Sequence, residues 1–594
     1  MRYRIDPARK GNGMGWFLLP LLLSTQVGAS AMVSRDAAIT LRSTDNATTE
    51  AETMQQRIVR ITEDVQALDQ FYNIEMSPQR VERLEAYYKE QLEQLNEVPF
   101  ESYDQQDKVD YLLIQNYMRR QLRQLELDAK RDEKMMPLLP FASTIIQLSE
   151  DRQKMKPIDP KKAAGELHEA EKKRLEVMKQ IESGELEADK TTAFRAVNAI
   201  DDLTSVLDEW FGFYNGYDPL FTWWVTEPYN AMSSGLQALS PVILEKLVGV
   251  SPEEKDDAIV GDPIGADGLA ADLEAEMIPY STEELVKIGE KEYEWCEAEM
   301  IKASKDLGYG KDWRKALEHV KNLYVDPGNQ TQLAHDLAIE AIDYVKEHDL
   351  ITVPPLAEEV WRMVMLSPEQ QRVSPFFLGG RYIQVAFPTN TMSHEEKLMS
   401  LRGNNIHFSR AVVHHELIPG HNLQYFMKTR YRPYRQLFDT PFWIEGWSLY
   451  WEMVLWDRKF PRTPENRIGM LFWRMHRCAR IIFSLKFHLG EMQPQEAIDF
   501  LVEKVGHERS TAEGEVRRSF AGNYSPLYQA GYMLGALQIY AMRKELETAG
   551  GFVEKEFHDR FLRENEMPIE MLRALVTEQD LQRDFEASWR FYDL

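Results

Sequence analysis

The 594-residue chain carries 70 Lys and Arg against 96 Asp and Glu, a formal net charge of −26, with 43% apolar and 11% aromatic residues. That surplus of negative charge repels phosphate backbones and excludes nucleic acid as a partner, and the apolar share is too high for a disordered chain. The length allows one or two helical bodies with substantial cores.

Residues 1–31 read as a secretory signal. Arg2, Arg4, Arg9 and Lys10 precede the apolar run GWFLLPLLL, and Ala29, Ser30 and Ala31 supply small residues for cleavage after Ala31. The run is short and interrupted by Pro20, which argues against a spanning helix. The expectation is a soluble exported protein, periplasmic or extracellular, with no stable membrane insertion once the signal is removed. Cys296 and Cys478 are the only cysteines, so no disulfide framework is expected. Cys478 reads as a buried thiol, and no cysteine lies near residue 31 to carry a lipid.

Residues 32–55 are polar and read as a flexible leader. Helical spacing begins with Ile58, Ile61, Val65, Leu68 and Tyr72. Ser77 and Pro78 supply an N-cap and a first-turn proline, after which Val81, Leu84, Tyr88, Leu92 and Leu95 line one face. Residues 155–193 alternate Lys and Glu as an exposed helix laced with ion pairs does. The acidic, Gly- and Pro-punctuated stretch 251–275 marks a boundary between an N-terminal helical region, 56–265, and a C-terminal helical region, 266–594. Ser281 with Glu284 forms a capping box that reopens helix. The fold class predicted is mainly α, one large helical body with a deep cleft. The exception is GGRYIQVAFPTN, residues 379–390, which predicts a strand or short hairpin; an exposed edge there would hold an extended peptide by backbone pairing.

Chemistry concentrates in AVVHHELIPGH, residues 411–421. Zinc hydrolases commonly place two histidines one helical turn apart with a Glu between them. Here His421 follows His415 by six positions, which on an unbroken helix turns the two side chains about 120° apart. Pro419 breaks the helix and Gly420 accepts unusual angles, so two residues can loop out and return His421 to the face of His415. The alternative pairs His414 with His421, which share a face of an unbroken helix but stand roughly 10.5 Å apart along its axis. The proline favours His415. A third ligand is sought in DTPFWIEGWSLYWEMVLW, where Glu445 and Glu452 share a helical face among Trp and Phe. Carboxylates in such surroundings are costly to bury unless a cation answers them. Glu445 is the expected ligand, and Glu452 the group that orients one.

HELIPGHNLQ, 415–424, followed by EGWSLYWE, 445–452, resembles the domain-of-unknown-function 885 family of bacterial exported proteins. Its architecture is similar to the helical gluzincin peptidases, such as angiotensin-converting enzyme, thimet oligopeptidase and carboxypeptidase Taq. The resemblance implies a zinc ion held by His415, His421 and Glu445, with Glu416 as the base; a deep helical cleft in an exported protein suits short peptides as substrate. It extends to SPLYQAGYMLGALQIYAMR, 525–543, with Pro526, Tyr532 and Gly535, and implies that Tyr532, with His488, steadies the oxyanion. RIIFSLKFHLG, 480–490, matches a family helix carrying Arg480 and His488, with Ser484 where the family commonly has an acid. Arg480 is a candidate for a substrate carboxylate. Two other readings are a peptide-binding protein whose metal site no longer catalyses, and hydrolysis of a non-peptide amide.

Overall fold

Helix-start signals in the sequence become helices in the computed structural model, which describes residues 52–255, 257–371, 374, 376–520 and 524–594. The signal reading at 1–31 and most of the leader reading lie outside the described residues. The Met54–Phe71 helix buries Ile58, Ile61 and Val65. Ser77 caps Pro78–Asn96 by accepting from the Arg80 amide, and Leu84, Tyr88 and Leu95 face inward. The capping box of Ser281 and Glu284 opens Thr282–Asp306. In the Lys- and Glu-rich segment, Pro160–Ser183 is helical, and exposed pairs such as Lys172 with Glu169 at 2.7 Å lie along it.

The described helices wrap two apolar cores. The larger takes residues from Met54 to Met118 together with those from Leu269 onward. The smaller is built from Ile74 and residues 135–260. The long Gln105–Met135 helix joins them, with Val109–Met118 in the first core and Met135 in the second. The acidic stretch at 251–275 is not loop throughout: Gly265–Ala275 is a helix, because Leu269 and Leu273, one turn apart, are buried in the larger core. Cys296 and Cys478 are both free and buried, in contact across the helices Thr282–Asp306 and Pro464–His488.

The predicted strand forms at Ile383–Val385; it pairs in parallel with Met363–Met365, while a single antiparallel bridge joins Gln384 to Leu378. Ile383 and Val385 point into the core. The other side of Gln384 is already paired with Leu378 through bonds of 2.8 and 2.9 Å. At Gln384, then, this strand leaves no open edge for an extended peptide, contrary to the sequence expectation.

The helices that carry the motif residues meet at glycines. Pro441–Asp457 and Tyr528–Ala549 approach so closely that a Cβ on Gly535 would stand 2.3 Å from the Phe442 carbonyl oxygen, and one on Gly446 2.7 Å from the Gly535 carbonyl carbon. This backbone-to-backbone packing brings Tyr528 against Glu445 and Tyr532 beside His415.

Candidate metal centre

Asn405 caps Ile406–Glu416 by accepting from the His407 and Phe408 amides, and the helix stops at Glu416, three residues before the proline. A second helix, His421–Lys428, starts immediately after Gly420. The intervening Ile418–Pro419 bond is cis. The sequence suggested a continued helix with two residues looped out. Instead there are two helices, because Pro419 cannot donate a backbone bond and the Leu417 and Gly420 amides bond back to Val413 and His414 at 2.9 and 3.1 Å. The Trp447 indole donates to the Pro419 carbonyl at 2.9 Å and ties this junction to the Pro441–Asp457 helix.

This turn brings His415, at the end of one helix, beside His421, at the start of the next, with ring centroids 4.9 Å apart. One ligand atom each from His415, His421 and Glu445 lie within 4.8 Å of one another, and all three residues are buried. Glu445 Oε2 is 3.0 Å from His421 Nε2 and 3.6 Å from His415 Nε2. Its other oxygen accepts from the Tyr528 hydroxyl. Two imidazole nitrogens and a carboxylate converging in a buried space form a donor set that could hold a divalent metal.

Each donor is oriented by a neighbour. Glu452 Oε1 lies 2.8 Å from His415 Nδ1, which turns Nε2 toward Glu445. Arg477 in turn donates to Glu452 at 3.4 Å. Gln424 Oε1 lies 3.4 Å from His421 Nδ1, and the Gln424 amide is itself anchored on the Trp443 carbonyl at 2.9 Å. Burial pulls His415 toward neutrality, but hydrogen bonds to Glu445 and Glu452 overcome it and lift the imidazole to about 9. Burial also opposes ionisation of Glu445, yet the two imidazoles hold its carboxyl well below the usual range. A divalent cation would displace those protons and answer the same carboxylate.

Glu416 is buried next to this group, and burial raises its carboxyl above the usual range. A Cβ added to Gly379 would stand 2.4 Å from Glu416 Oε2 and 2.8 Å from His421 Cβ, so the chain before the strand lies directly on the Glu416 carboxylate. Asn422 fastens that segment by donating to the Gly380 and Arg381 carbonyls, both at 3.0 Å.

Tyr532 lies parallel to the His415 ring, 6.1 Å away. Arg518 donates to the Tyr532 hydroxyl at 3.2 Å, and the Arg480 guanidinium sits 4.2 Å over the ring. Arg480 Nε also bonds Glu515 at 2.7 Å, a buried ion pair that occupies part of the group read from sequence as a substrate contact.

His414 points elsewhere. Both its nitrogens are buried without a hydrogen-bond partner, its ring meets Phe460 edge-on, and burial depresses it to about 3. His488 is also apart from this group. It stands eight residues beyond Arg480 on one helix, about 12 Å along the axis. There it lines a separate cavity of about 640 Å³ with Arg131, Asp262, Ser519 and Pro526, and its Nδ1 has no partner.

Sequence reasoning did not find Arg477, Arg518, Tyr528, Gln424 or Gly379. Spacing carried a signal for two of them: Arg477 lies one turn before Arg480, and Tyr528 one turn before Tyr532. Gln424 sits one turn after His421 within the motif itself. Nothing in the local pattern distinguishes Arg518 from the adjacent Arg517.

No curated protein matches the chain. Among solved structures, it is similar to a "putative lipoprotein of unknown function" from Shewanella oneidensis, with a TM-score of 0.64 and 18% identity over 89% of this chain and 100% of that one. It is also similar to a "putative lipoprotein" from Colwellia psychrerythraea, with a TM-score of 0.55 and 16% identity over 89% of this chain and 99% of that one. At these identities the likeness is one of fold. The family model for bacterial proteins of unknown function, DUF885, matches residues 63–576, a span that holds the histidines, Glu445 and Tyr532, and the chain belongs to that family.

Proposed function

We propose that this protein is an exported zinc-dependent peptidase acting on short peptides, in the manner of the helical gluzincins. The convergence of His415, His421 and Glu445, with the Glu416 carboxylate beside them, carries the reading. His415, His421 and Glu445 would hold the ion, and Glu452 and Gln424 keep the two imidazoles turned toward it. Once bound, zinc supplies Lewis-acid polarisation of water and of the scissile carbonyl.

The chain's own residues do the rest. Glu416 takes the proton of the attacking water and returns it to the leaving amine. Tyr532 donates its hydroxyl proton to the developing oxyanion; Arg518, bonded to the same oxygen, leaves that proton free and adds positive charge behind it. His488, standing elsewhere, has no part in this step.

The test is purification, chelation and reconstitution. Zinc returned at about one hundred times its dissociation constant is expected to stabilise the metal-free protein by about 2.7 kcal/mol, read as a rise in Tm, and to restore cleavage of a mixed peptide pool. Zinc-loaded protein that leaves every peptide intact would overturn the peptidase reading. Glu452→Gln is expected to weaken zinc affinity by about 10–100-fold with the fold intact, measured by competition with a chromogenic chelator. Unchanged affinity would remove Glu452 from its positioning role.

A further inference from the structure

The cavity that His488 lines, of about 640 Å³, lies between the Gln105–Met135 helix, residues 262–272 and the end of the chain segment leading into Tyr528–Ala549. Two polar side chains in its wall are more than nine-tenths buried and lack partners. Asp272 is 7% exposed and makes no hydrogen bond or ion pair among the described residues. Burial raises its carboxyl above the usual range, by more than the charge of Arg120 lowers it. Asp272 also sits one turn before the end of Gly265–Ala275, where the helix dipole disfavours an acid. His488 is 6% exposed and its Nδ1 has no partner. Burial, reinforced by Arg131, depresses this imidazole to about 4, so it is neutral and offers one acceptor nitrogen.

The other charges of the wall are answered. Lys130 pairs with Glu126 at 2.8 Å. Arg131 bonds Asp128 at 3.1 Å and also Asp262, which Arg195 reaches at 3.3 Å. Arg120 stands 3.8 Å from Glu276 Oε1. Asp267 is exposed in the first turn of its helix, where a negative charge suits the dipole. Asp272 is thus the buried charge left without a bonded counter-ion, and a carboxylate in that position is costly until a cation meets it.

The cavity shares a wall with the candidate metal centre. Tyr524 lines it, and the Tyr524 ring lies 4.3 Å from that of Tyr528, whose hydroxyl donates to Glu445. The Arg518 guanidinium lies 4.7 Å over the other tyrosine of this wall, Tyr524, while bonding the Tyr532 hydroxyl. A chain of net charge −26 also draws cations toward its clefts.

We propose that this cavity receives a cationic group of the peptide substrate, an ammonium or guanidinium that Asp272 answers with its charge and His488 with its acceptor nitrogen. That the ligand is a peptide rests on the peptidase reading; that it is cationic rests on the cavity alone. A lysine or arginine side chain and a free amino terminus present the same chemistry, and the experiment separates them.

The experiment is calorimetric titration of the full chain carrying Glu416→Gln, in zinc-containing buffer, so that binding is read without cleavage. The ligands are alanine pentapeptides with one lysine placed at each position in turn, each matched to the same peptide with norleucine. All are made with free and with acetylated amino termini. Lysine at one position is expected to bind about tenfold or more tighter than norleucine, the scale of a hydrogen bond to a charged group. If acetylation abolishes binding instead, wherever the lysine stands, the cation is the amino terminus. In either case Asp272→Asn, made in the same background, is expected to erase the difference without lowering Tm, because the native carboxylate makes no hydrogen bond for the fold to lose. Undetectable binding, or equal binding of lysine and norleucine peptides and of free and acetylated ones, would overturn the proposal. So would a preference that survives Asp272→Asn. The same peptides are then offered to the zinc-loaded wild type: a cationic preference in binding with no cleavage would sink the peptidase reading and leave the cavity assigned, whereas cleavage with no preference would do the reverse.

Discussion

Glu416→Gln is expected to cut peptide hydrolysis by about a thousandfold while zinc content and Tm stay at wild-type values. The substitution keeps the size of the side chain and removes only its ability to take a proton. Size matters because Gly379 leaves no room on that side, where even a methyl group would come within 2.4 Å of Oε2. Glu416 supplies no ligand atom to the donor group, so its neutral form should not loosen the metal. Two measurements separate the possible roles: zinc per chain, and kcat on a cleavable peptide. Full activity in the variant would place the base elsewhere. Loss of zinc together with activity would make Glu416 a support for the site rather than its base.

Gly420→Ala is expected to destroy the metal centre and lower stability by about 3 kcal/mol or more. The reason is not an unusual φ, since Gly420 sits at −77°. It is the closeness of the preceding helix: a Cβ there would stand 1.8 Å from the His415 carbonyl oxygen and 2.7 Å from that of His414. Both obstacles are backbone and cannot rotate aside. Only by moving His421–Lys428 away from Ile406–Glu416 can the chain accept the methyl group, and that movement separates the two imidazoles. Gly165→Ala provides the contrast. Gly165 lies within Pro160–Ser183 with nothing near its would-be Cβ, and alanine there is expected to gain about 0.5–1 kcal/mol from helix propensity. Thermal melts and zinc analysis of the two variants check the argument; a Gly420→Ala protein with wild-type Tm and zinc content would refute it.

Both variants probe a junction whose parts differ in how far the chain announces them. Caps at Ser77 and Ser281, the helical runs that follow, and the interruption at Pro419 are written in neighbouring residues, because a turn of helix is a relation among four or five consecutive positions. The donor types were equally legible: two histidines with a Glu between them, then a Glu among tryptophans that only a cation or a buried base could answer. The strand at Ile383–Val385 could be read from its β-branched and aromatic content, but its parallel partner could not, since pairing depends on which distant segment arrives beside it.

By itself, then, the amino-acid order determined a mainly helical protein, the helix break at Pro419, and the set of groups that chemistry would use. Tertiary structure placed His415 beside His421 and Glu445, as the proline had favoured, and alone decided that Arg477 and Arg518 join the surroundings and that His488 belongs to another cavity. The physical reason is the range of the forces involved. Backbone hydrogen bonds and side-chain periodicity act within a turn or two of helix. Which helix faces which is settled by close packing between surfaces far apart in the chain, here where Gly446 meets Gly535 and brings Tyr532 into the site, and no local repeat encodes that fit.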